Sequence, residues 1–277
     1  MGKQLKQQTR AIYITVALLI ALLFIGCIGI PLISGSHFSV KSNWNIIAGG
    51  NDKGQGTKPD DTGKNAGKPD VLTESEESIA RRAALKEDLD KGLFILVNKQ
   101  NPVDSSYKPN DLTAIKYFAA DRSEVGRYLR AEAAEAFNLL SETAAEEGHQ
   151  IVVTTAYRSY DFQSTLYNNY VKIHGQQEAD TFSAQPGKSE HQTGLAADVS
   201  SPSVNYQLTK DYINTTEGKW LNDNAYRFGF IIRFPKGKED ITGYMYEPWH
   251  IRYVGKTAAK EIFDKGFTLE EYLEKEI

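Results

Sequence analysis

The chain has 277 residues, a net charge of −4 and 40% hydrophobic residues, a composition typical of a globular protein with room for one substantial domain. It contains no long basic run and no basic stripe with interleaved aromatic residues, so we do not expect nucleic acid as a partner. The single cysteine, Cys27, lies inside an apolar run, which excludes disulfides within the folded domain.

Residues 11–33 form an almost wholly apolar run without charges. As a helix rising about 1.5 Å per residue, this run would match the hydrocarbon thickness of a bilayer, about 30 Å. Because Lys3, Lys6 and Arg10 precede it, the positive-inside rule places residues 1–10 in the cytoplasm. The pattern predicts a single-pass transmembrane signal-anchor in the cell membrane, with everything after it extracytoplasmic.

Two other interpretations of the apolar run stay open. Phe24-Ile25-Gly26-Cys27 resembles a loosely written lipobox, which would make the protein a lipoprotein anchored at Cys27, although residues 28–33 remain apolar. The run could also be a cleaved secretory signal, although no clear Ala-x-Ala site follows it. All three interpretations export the rest of the chain.

The composition changes sharply after the apolar run. Residues 34–72 are rich in Gly, Lys, Asp and Pro and hold few apolar residues from about residue 49 onwards. Such a segment cannot bury enough surface to offset the entropy of ordering it, so it predicts a flexible linker. A folded domain is then expected over residues 73–277.

Helices and strands alternate irregularly in this domain. The predicted helices cover residues 79–89, 127–147, 161–174, 220–228, 257–265 and 269–276, and the predicted strands cover residues 94–97, 151–155, 195–199, 230–234 and 250–254. The sequence also predicts a turn over residues 98–102, a helix C-cap at Gly148 and a capping box formed by Thr268 and Glu271. Because strict βαβ alternation is missing, we expect an α+β domain on a mostly antiparallel sheet.

Two short stretches carry the chemistry of this domain, and they read Ser189-Glu-His191-Gln-Thr-Gly194-Leu-Ala196-Ala-Asp198 and Glu247-Pro-Trp249-His250. His191 would lie in a loop and Asp198 on an emerging strand, with Gly194 permitting the bend between them. Two imidazoles and one carboxylate with an open fourth position are the ligand set of a catalytic zinc ion. Glu247 would lie in a turn kept rigid by Pro248, beside the metal as a general base.

The sequence around the other three histidines gives less indication of metal binding. His37 lies in the linker, His149 follows a helix C-cap and His174 lies near a helix end, so we expect all three to be structural or incidental. Arg158 is expected at the end of a buried strand. This position fits an active-site residue, and it also fits an ion-pair partner within the fold.

The two stretches together identify a resemblance. Ser-x-His-x-x-Gly-x-Ala-x-Asp followed by Glu-x-Trp-His is similar to the zinc D-alanyl-D-alanine carboxypeptidases of peptidase family M15, in the vancomycin-resistance-type subfamily that also contains L,D-carboxypeptidases. The likeness extends from Leu96 to the C-terminus and includes Ala156-Tyr157-Arg158-Ser159-Tyr160-Asp-Phe-Gln163, similar to the substrate-binding segment of that family. It implies the fold of the zinc DD-peptidases, which hedgehog-like domains share.

Carried onto this chain, the resemblance implies that His191, Asp198 and His250 hold one Zn²⁺ ion. Glu247 would activate water and protonate the leaving amine. Arg158 would meet the substrate's carboxylate or the developing oxyanion, since a guanidinium fork suits such oxygens, while Gln163 and Ser189 would add hydrogen bonds.

The expected activity is removal of the terminal D-alanine from peptidoglycan stem peptides by an enzyme that needs no more than a monomer. Three alternatives stay open: an L,D-carboxypeptidase that converts tetrapeptide stems to tripeptides, an endopeptidase that cuts cross-bridges, and a non-catalytic wall-binding module stabilised by zinc. The intact Glu247 argues against the last of these.

Overall fold

The computed structural model describes residues 75–119 and 126–277. The predicted cytoplasmic tail, membrane segment and linker over residues 1–72 lie outside these residues. Among the described residues, no helix combines the length and the apolar character needed to cross a membrane.

The two described ranges contain eight α-helices and six strands. The helices are α1 (Glu76–Asp90), α2 (Ala131–Glu146), α3 (Tyr160–His174), α4 (Gln176–Phe182), α5 (Thr216–Asn224), α6 (Glu239–Thr242), α7 (Lys256–Lys265) and α8 (Leu269–Glu276). The strands are β1 (Leu112–Ala114), β2 (Tyr128–Arg130), β3 (Val152–Thr155), β4 (Ala196–Ser200), β5 (Phe230–Phe234) and β6 (Glu247–Tyr253). Short 3-10 helices cover Glu190–Thr193, Pro202–Val204, Lys210–Asn214 and Ala225–Phe228.

The strands form two antiparallel sheets. Four of them make the larger sheet in the order β3-β4-β6-β5, and β1 pairs with β2 in a small second sheet. Every neighbouring pair in the larger sheet is antiparallel, and Asp198 of β4 lies directly opposite His250 of β6. The prediction of an α+β domain with a mostly antiparallel sheet flanked by helices is confirmed.

The two faces of the central strands have different roles. Ala197 and Val199 of β4 join Trp249 and Ile251 of β6 in the larger hydrophobic cluster, which also takes in Phe137 of α2. Because side chains alternate along a strand, the opposite face of the same two strands carries Asp198 and His250. The apolar face of these two strands therefore packs in the core, and their polar side chains lie together on the other face.

Local signals in the sequence set several element ends. The capping box is confirmed, because Glu271 N donates to Thr268 Oγ1 at 3.2 Å and Thr268 N donates to Glu271 Oε2 at 2.9 Å. Gly148 follows α2 at φ +88°, as expected of a helix C-cap. The predicted turn after residue 97 is also present, with Asn98 Oδ1 accepting from Gln100 N and Asn101 N.

The predicted strand over residues 94–97 is wrong. Phe94 and Val97 are buried, but the segment pairs with no strand. The carbonyl group of Ile95 in this segment and that of the preceding Leu93 instead accept from Arg252 Nη2, each at 2.8 Å. A buried guanidinium therefore satisfies backbone acceptors that a strand ladder would otherwise occupy.

The predicted helix over residues 127–147 begins later than expected, at Ala131. Residues 128–130 form β2 instead, with Leu129 opposite Thr113 of β1. Tertiary partners fix this extended segment, since Arg130 N donates to Gly194 O at 2.8 Å and Tyr157 N donates to Tyr128 O at 2.9 Å. These contacts override a local sequence that favours helix.

Candidate metal centre

Three buried side chains converge on the polar face of the central strands. His191 lies in the 3-10 helix that precedes β4, Asp198 lies on β4, and His250 lies opposite it on β6. Gly194 ends the 3-10 helix at φ +67°, a left-handed conformation that suits glycine and turns the chain into β4. None of the three residues is more than 6% exposed, and their donor atoms all lie within 4.8 Å of one another.

The ring of His191 is held by the end of β3. Its Nδ1 lies 2.7 Å from Ala156 O, and Arg158 N donates to His191 O at 3.2 Å. A carbonyl oxygen can only accept, so Nδ1 carries the proton and Nε2 keeps its lone pair. Nε2 lies 3.4 Å from Asp198 Oδ2, at the point where the three side chains meet.

The ring of His250 is held from both sides by carboxylates. Its Nδ1 lies 3.0 Å from Asp198 Oδ1, and its Nε2 lies 3.4 Å from Glu190 Oε2. Phe234 packs against the ring at 4.8 Å between centroids. Nδ1 is thereby the ring nitrogen nearest the meeting point.

Burial and mutual contacts shift the pKa values of the three side chains in different directions. Burial alone would lower the pKa of His250, but its hydrogen bonds to Asp198 and Glu190 raise the pKa to about 9. Burial would raise the pKa of Asp198, and the adjacent His191 overcomes it and holds the pKa well below its usual range. Burial and the nearby Arg158 lower the pKa of His191 to about 4, which keeps one imidazole neutral.

A zinc ion fits this donor set. Two imidazole nitrogens and one carboxylate oxygen, all buried and close together, are the three protein ligands of catalytic zinc sites. A second hydrogen bond on the far nitrogen of each ring, to Ala156 O and to Glu190, is the usual support of a metal-ligating histidine.

Glu247 lies beside this centre, but the prediction that it occupies a turn is wrong. It is the first residue of β6 and pairs with Phe234 of β5. Between the pairs Ile232–Ile251 and Phe234–Glu247 the register shifts, so that β6 holds two more residues than β5. This bulge brings Glu247 Oε2 within 3.7 Å of His250 Nδ1, although residues three apart on a regular strand face opposite sides.

The carboxyl group of Glu247 titrates near neutrality. Burial raises its pKa to about 7, against the opposing effect of His250, and Asp198 adds to the rise. A carboxyl group with such a pKa can both accept and return a proton at neutral pH, which is what a general base and acid requires.

The three predicted substrate-binding residues lie around this centre. Arg158 follows β3, its charged neighbours include Asp198 and Glu247, and its Nε is buried without a hydrogen-bond partner. Burial lowers its pKa. Gln163 of α3 donates from Nε2 to Ala184 O at 2.7 Å, while its buried Oε1 has no partner. Ser189 is buried immediately before the 3-10 helix and does not cap it.

Sequence reasoning missed three residues behind the centre. Glu190 Oε1 accepts from Arg233 Nε at 2.6 Å and from Arg252 Nη1 at 2.7 Å, and both arginines are fully buried. The sequence signal is an arginine inside each of two predicted apolar strands, residues 230–234 and residues 250–254. A charge in such a position requires a buried partner.

The two described histidines outside the centre have aromatic neighbours. The ring of His149 lies 6.1 Å from that of Trp220, and the ring of His174 lies 5.6 Å from that of Phe182. Neither belongs to the metal-ligand group found among the described residues.

Fold and site together have the form of a mononuclear metallohydrolase, and known proteins are similar to this chain in sequence and in fold. Residues 126–256 match the family described as VanY: D-alanyl-D-alanine carboxypeptidase. The putative carboxypeptidase YodJ of Bacillus subtilis (strain 168) is 48% identical over 186 residues, which are 67% of this chain and 68% of that protein. A D-alanyl-D-alanine carboxypeptidase of Enterococcus faecalis (strain ATCC 700802 / V583) is 34% identical over 217 residues, covering 74% of this chain and 75% of that protein.

Solved structures agree in fold. The LD-carboxypeptidase LdcB is 49% identical, with a TM-score of 0.63 over 65% of this chain and 85% of that one. A D,D-pentapeptidase VanY from a VanB-type resistance cassette, solved in complex with Zn(II), is 33% identical, with a TM-score of 0.54 over 65% of this chain and 98% of that one. The chain belongs to the VanY family of D-alanyl-D-alanine carboxypeptidases, and it is a hydrolase of peptide bonds.

Proposed function

We propose that this chain is a zinc-dependent carboxypeptidase that removes the terminal D-alanine from peptidoglycan stem peptides. The observation that carries this proposal is the buried group of His191, Asp198 and His250, with the separate carboxyl group of Glu247 at 3.7 Å from His250 Nδ1. Two relatives support it, the D-alanyl-D-alanine carboxypeptidase of Enterococcus faecalis and the zinc(II) complex of a VanY pentapeptidase.

His191 Nε2, one Asp198 oxygen and His250 Nδ1 would hold the ion. When bound, zinc supplies Lewis acidity toward water and toward the scissile carbonyl. Glu247 takes the proton from the attacking water and then returns it to the nitrogen of the departing D-alanine. Its pKa of about 7 suits both steps, because the group is close to half-protonated at neutral pH.

Arg158 would bind the negative end of the substrate. Its guanidinium group lies near the centre with a buried Nε that no protein acceptor meets, so a substrate carboxylate or oxyanion completes its hydrogen bonds. Gln163 Oε1 is likewise buried without a partner and would accept from a substrate N–H. Ser189 would add a hydroxyl group from the segment that leads into His191.

An L,D-carboxypeptidase is the second candidate. The specific observation in its favour is the 49% identity to LdcB, which exceeds the 33% identity to the VanY pentapeptidase. The two activities use the same metal chemistry and differ in the stereochemistry of the residue before the cleaved bond, so the ligands alone do not separate them.

Mass spectrometry of the products separates the two candidates. The zinc-loaded chain is incubated with pentapeptide and tetrapeptide stems in separate reactions. We expect loss of one D-alanine from the pentapeptide, whereas conversion of the tetrapeptide alone would favour the L,D activity. If zinc is bound and neither stem is cut, the proposal of a stem-peptide carboxypeptidase is wrong.

We further propose that the domain works outside the cell, tethered by residues 11–33. The flexible linker expected over residues 34–72 would let the metal centre reach different parts of an insoluble wall polymer. In cells that express the full chain, we expect the protein in the membrane fraction, and deletion of residues 1–33 should remove it from that fraction. Cys27→Ala distinguishes the two anchors, because only a lipoprotein would lose its attachment.

A further inference from the structure

Behind the metal centre, the buried carboxylate of Glu190 connects His250 to two arginines. We propose that Glu190 is a positioning residue that sets the tautomer of His250 and thereby presents Nδ1 to the metal. This inference rests on the proposed zinc site and concerns a residue that does not itself bind the ion.

The position of Glu190 is fixed on one side by charge. Its Oε1 accepts from Arg233 Nε at 2.6 Å and from Arg252 Nη1 at 2.7 Å, and neither arginine is exposed at all. With both guanidinium groups on Oε1, the other oxygen, Oε2, faces His250 Nε2 at 3.4 Å.

The arginines are themselves held by separate parts of the chain. Arg233 donates from Nη1 and Nη2 to Glu270 at 2.9 and 2.6 Å, which ties β5 to α8. Arg252 donates from Nη2 to the carbonyl groups of Leu93 and Ile95. Because each guanidinium group has further partners in place, Glu190 cannot rotate without breaking several buried hydrogen bonds.

The chemical consequence falls on His250. An ionised carboxylate accepts hydrogen bonds and donates none, so the contact with Glu190 requires the proton of the neutral ring on Nε2. The lone pair is then on Nδ1, the nitrogen that lies 3.0 Å from Asp198 Oδ1 at the centre. Glu190 thus performs for His250 the task that Ala156 O performs for His191, through the opposite ring nitrogen.

Buried ion pairs of this kind are poor sources of stability, because taking the charges out of water costs about as much as their attraction returns. Apolar side chains in place of these charged groups would hold the fold as well. A network of Glu190, Arg233, Arg252 and Glu270 is explained if its task is to hold one imidazole in one protonation pattern and one orientation.

The test is Glu190→Gln, with Glu270→Gln as the matched control. In the first variant the amide oxygen must face the two guanidinium groups, so the NH₂ group turns to His250 Nε2 and donates to it. The proton of His250 then moves to Nδ1, which can no longer bind a metal. Glu270→Gln removes one charge from the same network without touching His250.

Zinc affinity is measured by competition with a chelator on the full chain. We expect the dissociation constant for zinc to rise about 10- to 100-fold in Glu190→Gln and to stay within about twofold in Glu270→Gln. The visible absorption of the cobalt(II)-substituted protein should change in Glu190→Gln alone, because one ligand is replaced by water. Equal zinc affinities and unchanged cobalt spectra in the two variants would overturn the inference.

A second variant covers the case in which Glu190→Gln does not fold. Glu190→Asp keeps the charge facing the arginines but withdraws the oxygen from His250, so zinc affinity should still fall about 10-fold. Affinity as tight as that of the unaltered chain would contradict the inference. Failure of the proposed function is distinguishable, because then the unaltered chain itself binds no zinc or cuts no stem peptide.

Discussion

The two sides of the metal centre both contain buried polar side chains, and they differ in whether the protein supplies hydrogen-bond partners for them. On the paired side, Glu190 and the guanidinium groups of Arg233 and Arg252 are buried, and the protein supplies their partners. On the open side, Arg158 and Gln163 each keep a buried polar atom without one. An unpaired buried polar group costs about 1–3 kcal/mol. A ligand that forms hydrogen bonds with Arg158 and Gln163 would remove this cost on the open side, whereas the polar groups of the paired side already have partners in the protein.

The largest effect is expected from Glu247→Gln on the open side. The amide cannot take a proton from water, so kcat should fall by about 10² to 10⁴ while one zinc ion per chain is retained. Turnover of a stem peptide and metal content by atomic absorption measure the two quantities. Glu146→Gln makes the same chemical change at an exposed position of α2 and should leave both unchanged. Turnover above a tenth of the unaltered rate would refute the role of Glu247.

Arg252→Met breaks the paired side. It leaves the carbonyl groups of Leu93 and Ile95 without their donor and removes one of two charges that face Glu190. The free energy of unfolding, measured with denaturant, should fall by about 3–5 kcal/mol. Arg81→Met removes partly exposed ion pairs with Glu261 and Glu276 and should cost about 1 kcal/mol. Similar losses in the two variants would mean that the paired side is not held as described.

Arg158→Met makes the same change on the open side and should have the opposite profile. A charged hydrogen bond to substrate is worth about 1.5–3 kcal/mol, so kcat/KM should fall about 10- to 150-fold. The free energy of unfolding should not decrease, because Arg158 Nε has no protein partner to lose. Arg158→Lys keeps the charge without the planar fork and should recover part of the activity. A stability loss as large as that of Arg252→Met would assign Arg158 to the fold.

The smallest effect is expected from Gln163→Met. One neutral hydrogen bond to substrate is worth about 0.5–1.5 kcal/mol, which corresponds to a fall of about 2- to 12-fold in kcat/KM. The fall should appear mainly in KM if Gln163 Oε1 contributes to binding in the ground state and the transition state alike. An unchanged kcat/KM would remove Gln163 from the substrate-binding residues.

The difference between the two sides also explains what the sequence could predict. His191, Asp198, His250 and Glu247 lie in two short motifs, and their ligand chemistry together with the resemblance was enough to predict that the first three lie close together. Gly194 was assigned to the bend that it forms at φ +67°. These features depend on neighbours in the chain, so local reasoning reaches them.

What the sequence could not supply depends on distant partners. Glu190 accepts hydrogen bonds from Arg233 and Arg252, which lie 43 and 62 residues further along the chain. Residues 94–97 have the composition of a strand, but the carbonyl groups of Ile95 and of the preceding Leu93 accept hydrogen bonds from Arg252 instead. The position of Glu247 depends on the bulge between β5 and β6, which alternation along one strand does not reveal. The membrane anchor in residues 11–33 stays a prediction.

The order of strands in the larger sheet has one more consequence. Asp198 and His250 come from β4 and β6, the two inner strands, and each of these strands is paired with a neighbour on both sides. Asp198 and His250 are therefore placed by the sheet, whereas His191 is placed by the 3-10 helix that precedes β4. A pair of ligands placed by a sheet can be combined with different surroundings for the substrate, and the solved structures similar in fold to this chain include a D,D-pentapeptidase and an LD-carboxypeptidase.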